Sequence, residues 1–139
     1  MKVLYTAHAT TVTGRDGNSK TDDNRLVVKL SRPTSNESGT NPEQLFACGY
    51  SACFGSALAA IAKKKNVTLG EVKINADVSL NEDDNGGYFL AVTLNAILLN
   101  IDQKVAKILV EDAHQLCPYS KATRNNIEVK LKANNEDIF

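Results

Sequence analysis

"GTNPEQLFACGYSACFGSALAAIAKKK", residues Gly39 to Lys65, decides how the rest of the chain is read. From Gln44 to Ala62 nineteen consecutive residues carry no formal charge, and that run holds Cys48 and Cys53. Its length approaches the roughly 20 residues a membrane span needs. Its content is too weak for that, because Gln44, Gly49, Tyr50, Ser51, Gly55 and Ser56 interrupt the apolar residues. The run predicts a helix covered on most of its circumference by protein. Asn41 is the expected N-cap, with Pro42 and Glu43 in the first turn and Gln44 completing a capping-box pattern. Lys63 to Lys65 suit the negative end of the helix dipole.

Outward from this helix the chain reads as strands. "KVLYTAHATTV" (residues 2–12) is rich in β-branched residues and ends at "TGRDGNSK" (residues 13–20), where Asp16-Gly17 signals a turn. Arg25 to Leu30 reads as a returning strand, and Ser31 to Thr40 as a loop. From Glu71 to Leu99 the alternation predicts a long hairpin, with Val72, Ile74, Ala76, Val78 and Leu80 on one face. Asp102 opens a second helix with Val105, Ile108, Leu109 and Leu116 at helical spacing, and Pro118 ends or kinks it. "NIEVKLKA" (residues 126–133) is a last strand, and "NNEDIF" (residues 134–139) reads as a loose tail. The expected class is α+β, a single domain over residues 1–139 with about six strands and two main helices.

Composition narrows the function. Sixteen Lys and Arg balance sixteen Asp and Glu, so no global field directs the chain to nucleic acid or an anionic membrane. The N-terminus "MKVLYTAHATT" lacks the apolar core of a secretory signal, which makes the cytoplasm the expected compartment. Thiols there stay reduced, and a disulfide that forms is more often catalytic than structural. Three Cys and two His are too few for a typical four-ligand zinc site. His114 and Cys117 lie three apart, but no second pair completes the set. Neither a metal nor another cofactor is expected.

The two cysteines of the first helix are five positions apart. At about 100° per residue they point about 140° away from each other, so an intact helix cannot join them. Cys48 is read as a small buried hydrophobe. The Cys53 side carries Phe46, Gly49, Tyr50, Ala57 and Ala60, a mixture that leaves an apolar pocket. A reactive thiol there needs a cation, because an apolar site raises its pKa. The neutral run supplies none, and local physics leaves Cys53 open between core residue and nucleophile.

"GTNPEQLFACGYSACF" and "CPYSKATRNN" (residues 117–126), taken with "TGRDGNSK", resemble the organic hydroperoxide resistance (Ohr) branch of the OsmC superfamily. The likeness runs through nearly the whole chain in order. It implies an OsmC/Ohr-like fold, with two main helices, one central and buried, packed against antiparallel sheets in an intertwined homodimer. It implies a thiol peroxidase that reduces organic hydroperoxides to alcohols in the response to oxidative stress. Cys53 then resembles the peroxidatic cysteine, Cys117 the resolving cysteine, Arg15 the thiolate-stabilising cation and Glu43 the carboxylate that holds it. Phe46, Tyr50 and Phe54 would accommodate the alkyl chain of the substrate. The implied reductant is dihydrolipoamide or a lipoylated protein. Glu43 and Cys53 are ten residues apart, about 15 Å along a helix, so Arg15 must bridge much of that length or a second subunit must contribute. Two positions depart from the usual pattern: Cys48 replaces a common alanine, and Asn125 a common glycine, with an altered turn into the last strand as the expected effect. Three other readings stand beside this one. They are an OsmC-branch peroxidase, a hydroperoxide sensor or binding module without turnover, and a cysteine hydrolase with His8 or His114 as base.

Overall fold

The computed structural model describes residues 1–139, with seven strands and three α-helices. Two compact units are Met1–Leu45 and Phe46–Phe139.

In the first unit, β1 (Ala9–Val12), β2 (Asn18–Thr21) and β3 (Val27–Lys29) form an antiparallel sheet in that order. The strand expected from residue 2 therefore begins only at Ala9, and residues 1–8 are exposed. The turn after β1 is a 3-10 turn over Gly14–Asp16. Its left-handed residues are Thr13 (φ 64) and Gly14 (φ 52), rather than the Asp16-Gly17 pair the sequence suggested. Gly17 serves another purpose: a Cβ there would come within 1.7 Å of the Val12 carbonyl oxygen.

Helix α1 covers Pro42–Lys64. Asn41 Oδ1 accepts the Gln44 backbone N–H at 2.8 Å, the expected cap. The reciprocal half of the capping box is replaced, because Gln44 Oε1 accepts the Thr40 hydroxyl at 2.7 Å. α1 buries Tyr50, Phe54, Ala57, Leu58 and Ala62. Only 28% of its most apolar 18-residue window is buried. The expected cover on most of its circumference is thus not supplied within one chain.

In the second unit the sheet order is β4-β5-β6-β7. β4 (Val72–Glu82) and β5 (Tyr88–Leu98) form the long hairpin, in register from Val72↔Leu98 to Glu82↔Tyr88. Leu80, expected on the inner face, is exposed near the hairpin tip. β6 (Val129–Ala133) pairs parallel with β5, so this sheet is mixed rather than antiparallel throughout. β7 (Glu136–Asp137) pairs with β6 and Ile138 packs on the core, so the expected loose tail is tied down.

Between β5 and β6 run α2 (Gln103–Leu116) and α3 (Pro118–Thr123). Asp102 caps α2, its Oδ1 accepting the N–H groups of Lys104 and Val105. The buried face of α2 is Ala106, Leu109, Val110 and Ala113, whereas Ile108 and Leu116, expected inside, are exposed. These side chains meet Val92, Leu94, Ala96 and Leu98 of β5 and the buried face of α1 in one cluster. Pro118, read as a terminator, is the first residue of α3, where its missing N–H costs nothing. Asn125 follows α3 at φ 63, the left-handed conformation its usual glycine would favour. Asparagine tolerates that region, so the turn is kept.

Candidate active site

Cys117 owes its conformation to its neighbour. Proline disfavours the helical region for the residue before it, and Cys117 is extended at φ −64, ψ 124. It ends α2, its N–H still bonded to the Ala113 carbonyl, and it caps α3. Its side chain is fully buried. The thiol donates to Cys53 Sγ in the middle of α1, with the sulfurs 3.4 Å apart. Cys53 is partly exposed and Cys48 is exposed, and all three cysteines are free thiols. Cys48 is therefore not the buried residue the sequence suggested. It lies with Ser51, Ala52 and Gly55 along a groove beside Val72 and Ile74.

Desolvation pushes the Cys53 thiol pKa up. The backbone N–H of Tyr119, at the start of α3, works the other way by favouring the thiolate. The Cys117 side chain adds to the upward shift.

In the first unit the 3-10 turn presents Arg15 to Glu43 in the first turn of α1. The guanidinium donates twice, Nη1 to Oε2 at 2.9 Å and Nη2 to Oε1 at 2.6 Å. The Arg15 hydrogen bonds hold the Glu43 carboxyl below the usual range. This two-point geometry fixes both side chains more firmly than a single contact would. Asp16, next in the turn, takes Arg32 instead.

Of the three residues expected to meet substrate, Phe46 lines a cleft of about 790 Å³ with Tyr88, Phe89, Pro118, Tyr119 and Ile127. Tyr50 and Phe54 are fully buried. The Phe46, Tyr50 and Tyr119 rings pack against one another with centroids 5.6–6.0 Å apart. His114 is bonded through Nδ1 to Ser120 Oγ at 2.8 Å. Nowhere do three or more His, Cys, Asp or Glu side chains converge as a metal site would require. Sequence reasoning missed Tyr119 and Ser120, although both stand inside the quoted "CPYSKATRNN".

A model of the OsmC-like protein family matches residues 35–132. The chain belongs to the OsmC-like family. Among OsmC-like relatives, the organic hydroperoxide resistance protein of Xanthomonas axonopodis pv. citri is 46% identical over 135 residues, 94% of each chain. OhrB of Bacillus subtilis is 44% identical over 133 residues, 93% of this chain and 97% of that one. The crystal structure of that OhrB superposes with a TM-score of 0.90, covering 94% of this chain and 99% of that one. An organic hydroperoxide resistance protein from Elizabethkingia anophelis, crystallised with thiocyanate bound, matches at TM-score 0.90 and 44% identity. That match covers 98% of this chain and all of the other.

Proposed function

We propose that this chain is a thiol peroxidase that reduces organic hydroperoxides to alcohols and protects against oxidative stress. The single observation that carries the reading is the 3.4 Å separation of Cys53 and Cys117 sulfurs. It is joined by the naming of the relatives as organic hydroperoxide resistance proteins. In the first step the Cys53 thiolate attacks the terminal oxygen of ROOH. The O–O bond breaks, Cys53 becomes a sulfenic acid, and the alkoxide takes a proton to leave as ROH. The Cys117 thiol then attacks the sulfenic sulfur, forming the disulfide and releasing water. An external dithiol restores both thiols and leaves as its own disulfide.

The first step needs a cation to offset the desolvation of Cys53. Arg15 is our candidate, aligned by its two bonds to Glu43, and it can also stabilise the departing alkoxide. Phe46 lines the cleft assigned to the alkyl chain, and it packs against the core cluster that holds fully buried Tyr50 and Phe54. The dithiol is dihydrolipoamide or a lipoylated protein. The cytoplasm, where thiols are kept reduced, suits this chemistry. The chain acts as one domain, since its relatives match it over 93–94% of its length. It works as a homodimer, because the uncovered apolar surface of α1 needs a partner. The Cys53 sulfur is met by the Cys117 thiol rather than by a histidine, which favours the peroxidase reading over a hydrolase.

The test is lipoamide-coupled turnover of cumene hydroperoxide against hydrogen peroxide. Faster reduction of the organic substrate is expected. Equal or faster use of hydrogen peroxide, or no turnover, would overturn the reading.

A further inference from the structure

The side chains of Tyr50, Ser120, Thr123 and His114 form a continuous line of hydrogen bonds around the Cys117 segment. Tyr50 on α1 places its buried hydroxyl 2.8 Å from Ser120 Oγ and 3.1 Å from Thr123 Oγ1, both on α3. Ser120 Oγ lies 2.8 Å from His114 Nδ1 on α2. Thr123 Oγ1 donates to the Ser120 carbonyl at 3.1 Å. Tyr50 and Ser120 have no exposed surface at all.

Proton counting gives the line a direction. Each hydroxyl has one proton to donate. Thr123 spends its proton on the Ser120 carbonyl, so it accepts from Tyr50. Tyr50 then accepts from Ser120, and Ser120 accepts from His114 Nδ1–H. All three helices are joined by this line. Arg124, at the end of α3, adds a second tie by donating to the His114 carbonyl in the last turn of α2.

The tie matters because α3 has only six residues. Isolated helices that short are not stable, and their order comes from tertiary contacts. The start of α3 carries the Cys117 thiol that donates to the Cys53 sulfur, and the Tyr119 N–H that lowers the Cys53 pKa. The Tyr119 ring is seated over Gly49, one turn before Cys53, where a Cβ would come within 2.7 Å of the Tyr119 hydroxyl.

We propose that Tyr50, Ser120 and His114 are positioning residues of the peroxidase, locking the start of α3 so that the Cys117 thiol stays on the Cys53 sulfur. The proposal rests on the thiol-peroxidase reading above. A displaced Cys117 loses the proximity that makes an intramolecular condensation fast. A displaced Tyr119 N–H leaves the Cys53 thiolate with one donor fewer.

The experiment compares wild type with Tyr50→Phe, Ser120→Ala and the double variant. One measurement is the rate of Cys53–Cys117 disulfide closure after one equivalent of cumene hydroperoxide. The other is the pH profile of Cys53 alkylation by iodoacetamide. Each single variant should close the disulfide about fivefold more slowly, as loss of one buried hydrogen bond predicts. Each should also shift the alkylation midpoint to higher pH. The double variant should be no worse than the poorer single variant, because the residues act through one line. Leu109→Ala, a core change in α2 away from the line, should lower the Tm while leaving both readouts at wild-type values. His114→Ala, at a half-buried site, replaces Ser120→Ala if that variant does not fold. Wild-type closure rates and alkylation profiles in Tyr50→Phe and in either partner variant would overturn the proposal. A wild type that ignores peroxide would defeat the peroxidase reading instead, and the alkylation profile would still judge the line of hydrogen bonds.

Discussion

The Cys117 thiol meets Cys53 across 3.4 Å although 64 residues separate them in sequence. One sulfur sits in the middle of a 23-residue helix and the other at a junction between two helices. Disulfide geometry needs converging side chains and a sulfur separation near 2.05 Å. A movement of about 1.4 Å therefore closes the bond, and α1 need not unwind.

Cys53→Ser should lose peroxidase turnover while keeping the fold. Cys117→Ser should consume one equivalent of hydroperoxide and stop at the sulfenic acid, or over-oxidise with excess. Cys48→Ser should turn over normally. Peptide mapping of the oxidised wild type checks the set, and a Cys48–Cys53 bridge as the main product would sink the assignment.

On the proposed role of Arg15, Arg15→Ala should move the Cys53 alkylation midpoint up by about one to two pH units, as loss of a thiolate-stabilising cation does. Glu43→Gln should act in the same direction but less, since it spares the cation and loses only its alignment. The Arg15 hydrogen bonds lower the Glu43 pKa below its ordinary value of about 4.3. Their contribution to stability is therefore complete above that pH and is lost as pH falls through the lowered value. An unchanged Cys53 profile in Arg15→Ala would place the activating cation elsewhere.

Gly49→Ala sets two effects against each other. Helix propensity favours alanine by about 1 kcal/mol. The new methyl meets the Tyr119 hydroxyl at 2.7 Å and its ring carbon at 3.2 Å, and such overpacking costs about 1–3 kcal/mol. The net expectation is a loss of about 1 kcal/mol, with slower Cys53 alkylation as Tyr119 shifts. Denaturant unfolding and alkylation rates check the two halves separately.

The sequence made α1 and the β4–β5 hairpin legible because each has a long, regular signal. The Asn41 cap and the terminal lysines bracket one, and strict alternation marks the other. β2 was missed because "NSKT" is short and polar, and no hydrophobic period distinguishes it from a turn. α3 was missed because a proline can end one helix and begin the next. Two-residue β7 is held by pairing with β6, which no local pattern reveals. At the site, helical geometry separated Cys48 from Cys53, but only family resemblance paired Cys53 with Cys117. The Tyr50–Ser120–His114 line joins three elements through hydroxyls that carry no spacing signal.

His114 should make the protein sensitive to mild acid. Burial, then the Arg124 charge, holds its pKa below the ordinary value of about 6.5. The unfolded chain consequently binds a proton first, and stability declines as pH falls from about 6.5 towards the lowered value. His114→Gln should flatten that part of the stability curve, as read by thermal unfolding at a series of pH values. An unaltered slope would remove His114 as its source.

A homodimer is expected in solution at micromolar concentration. The apolar window of α1 is 28% buried in one chain, and exposed apolar patches of that extent usually mark an interface. Sedimentation as a monomer would count against the dimer.

The three thiols form a gradient of access: Cys48 exposed, Cys53 partly exposed, Cys117 closed off. On the proposed cycle, an incoming dithiol should attack the Cys53 side of the bridge, with Cys117 as the leaving group. The sulfur proposed to meet the peroxide would then also meet the reductant. One entrance would serve both halves of that cycle, so hydroperoxide and reductant should inhibit each other at high concentration. A mixed disulfide trapped on Cys117 rather than Cys53 would contradict this order.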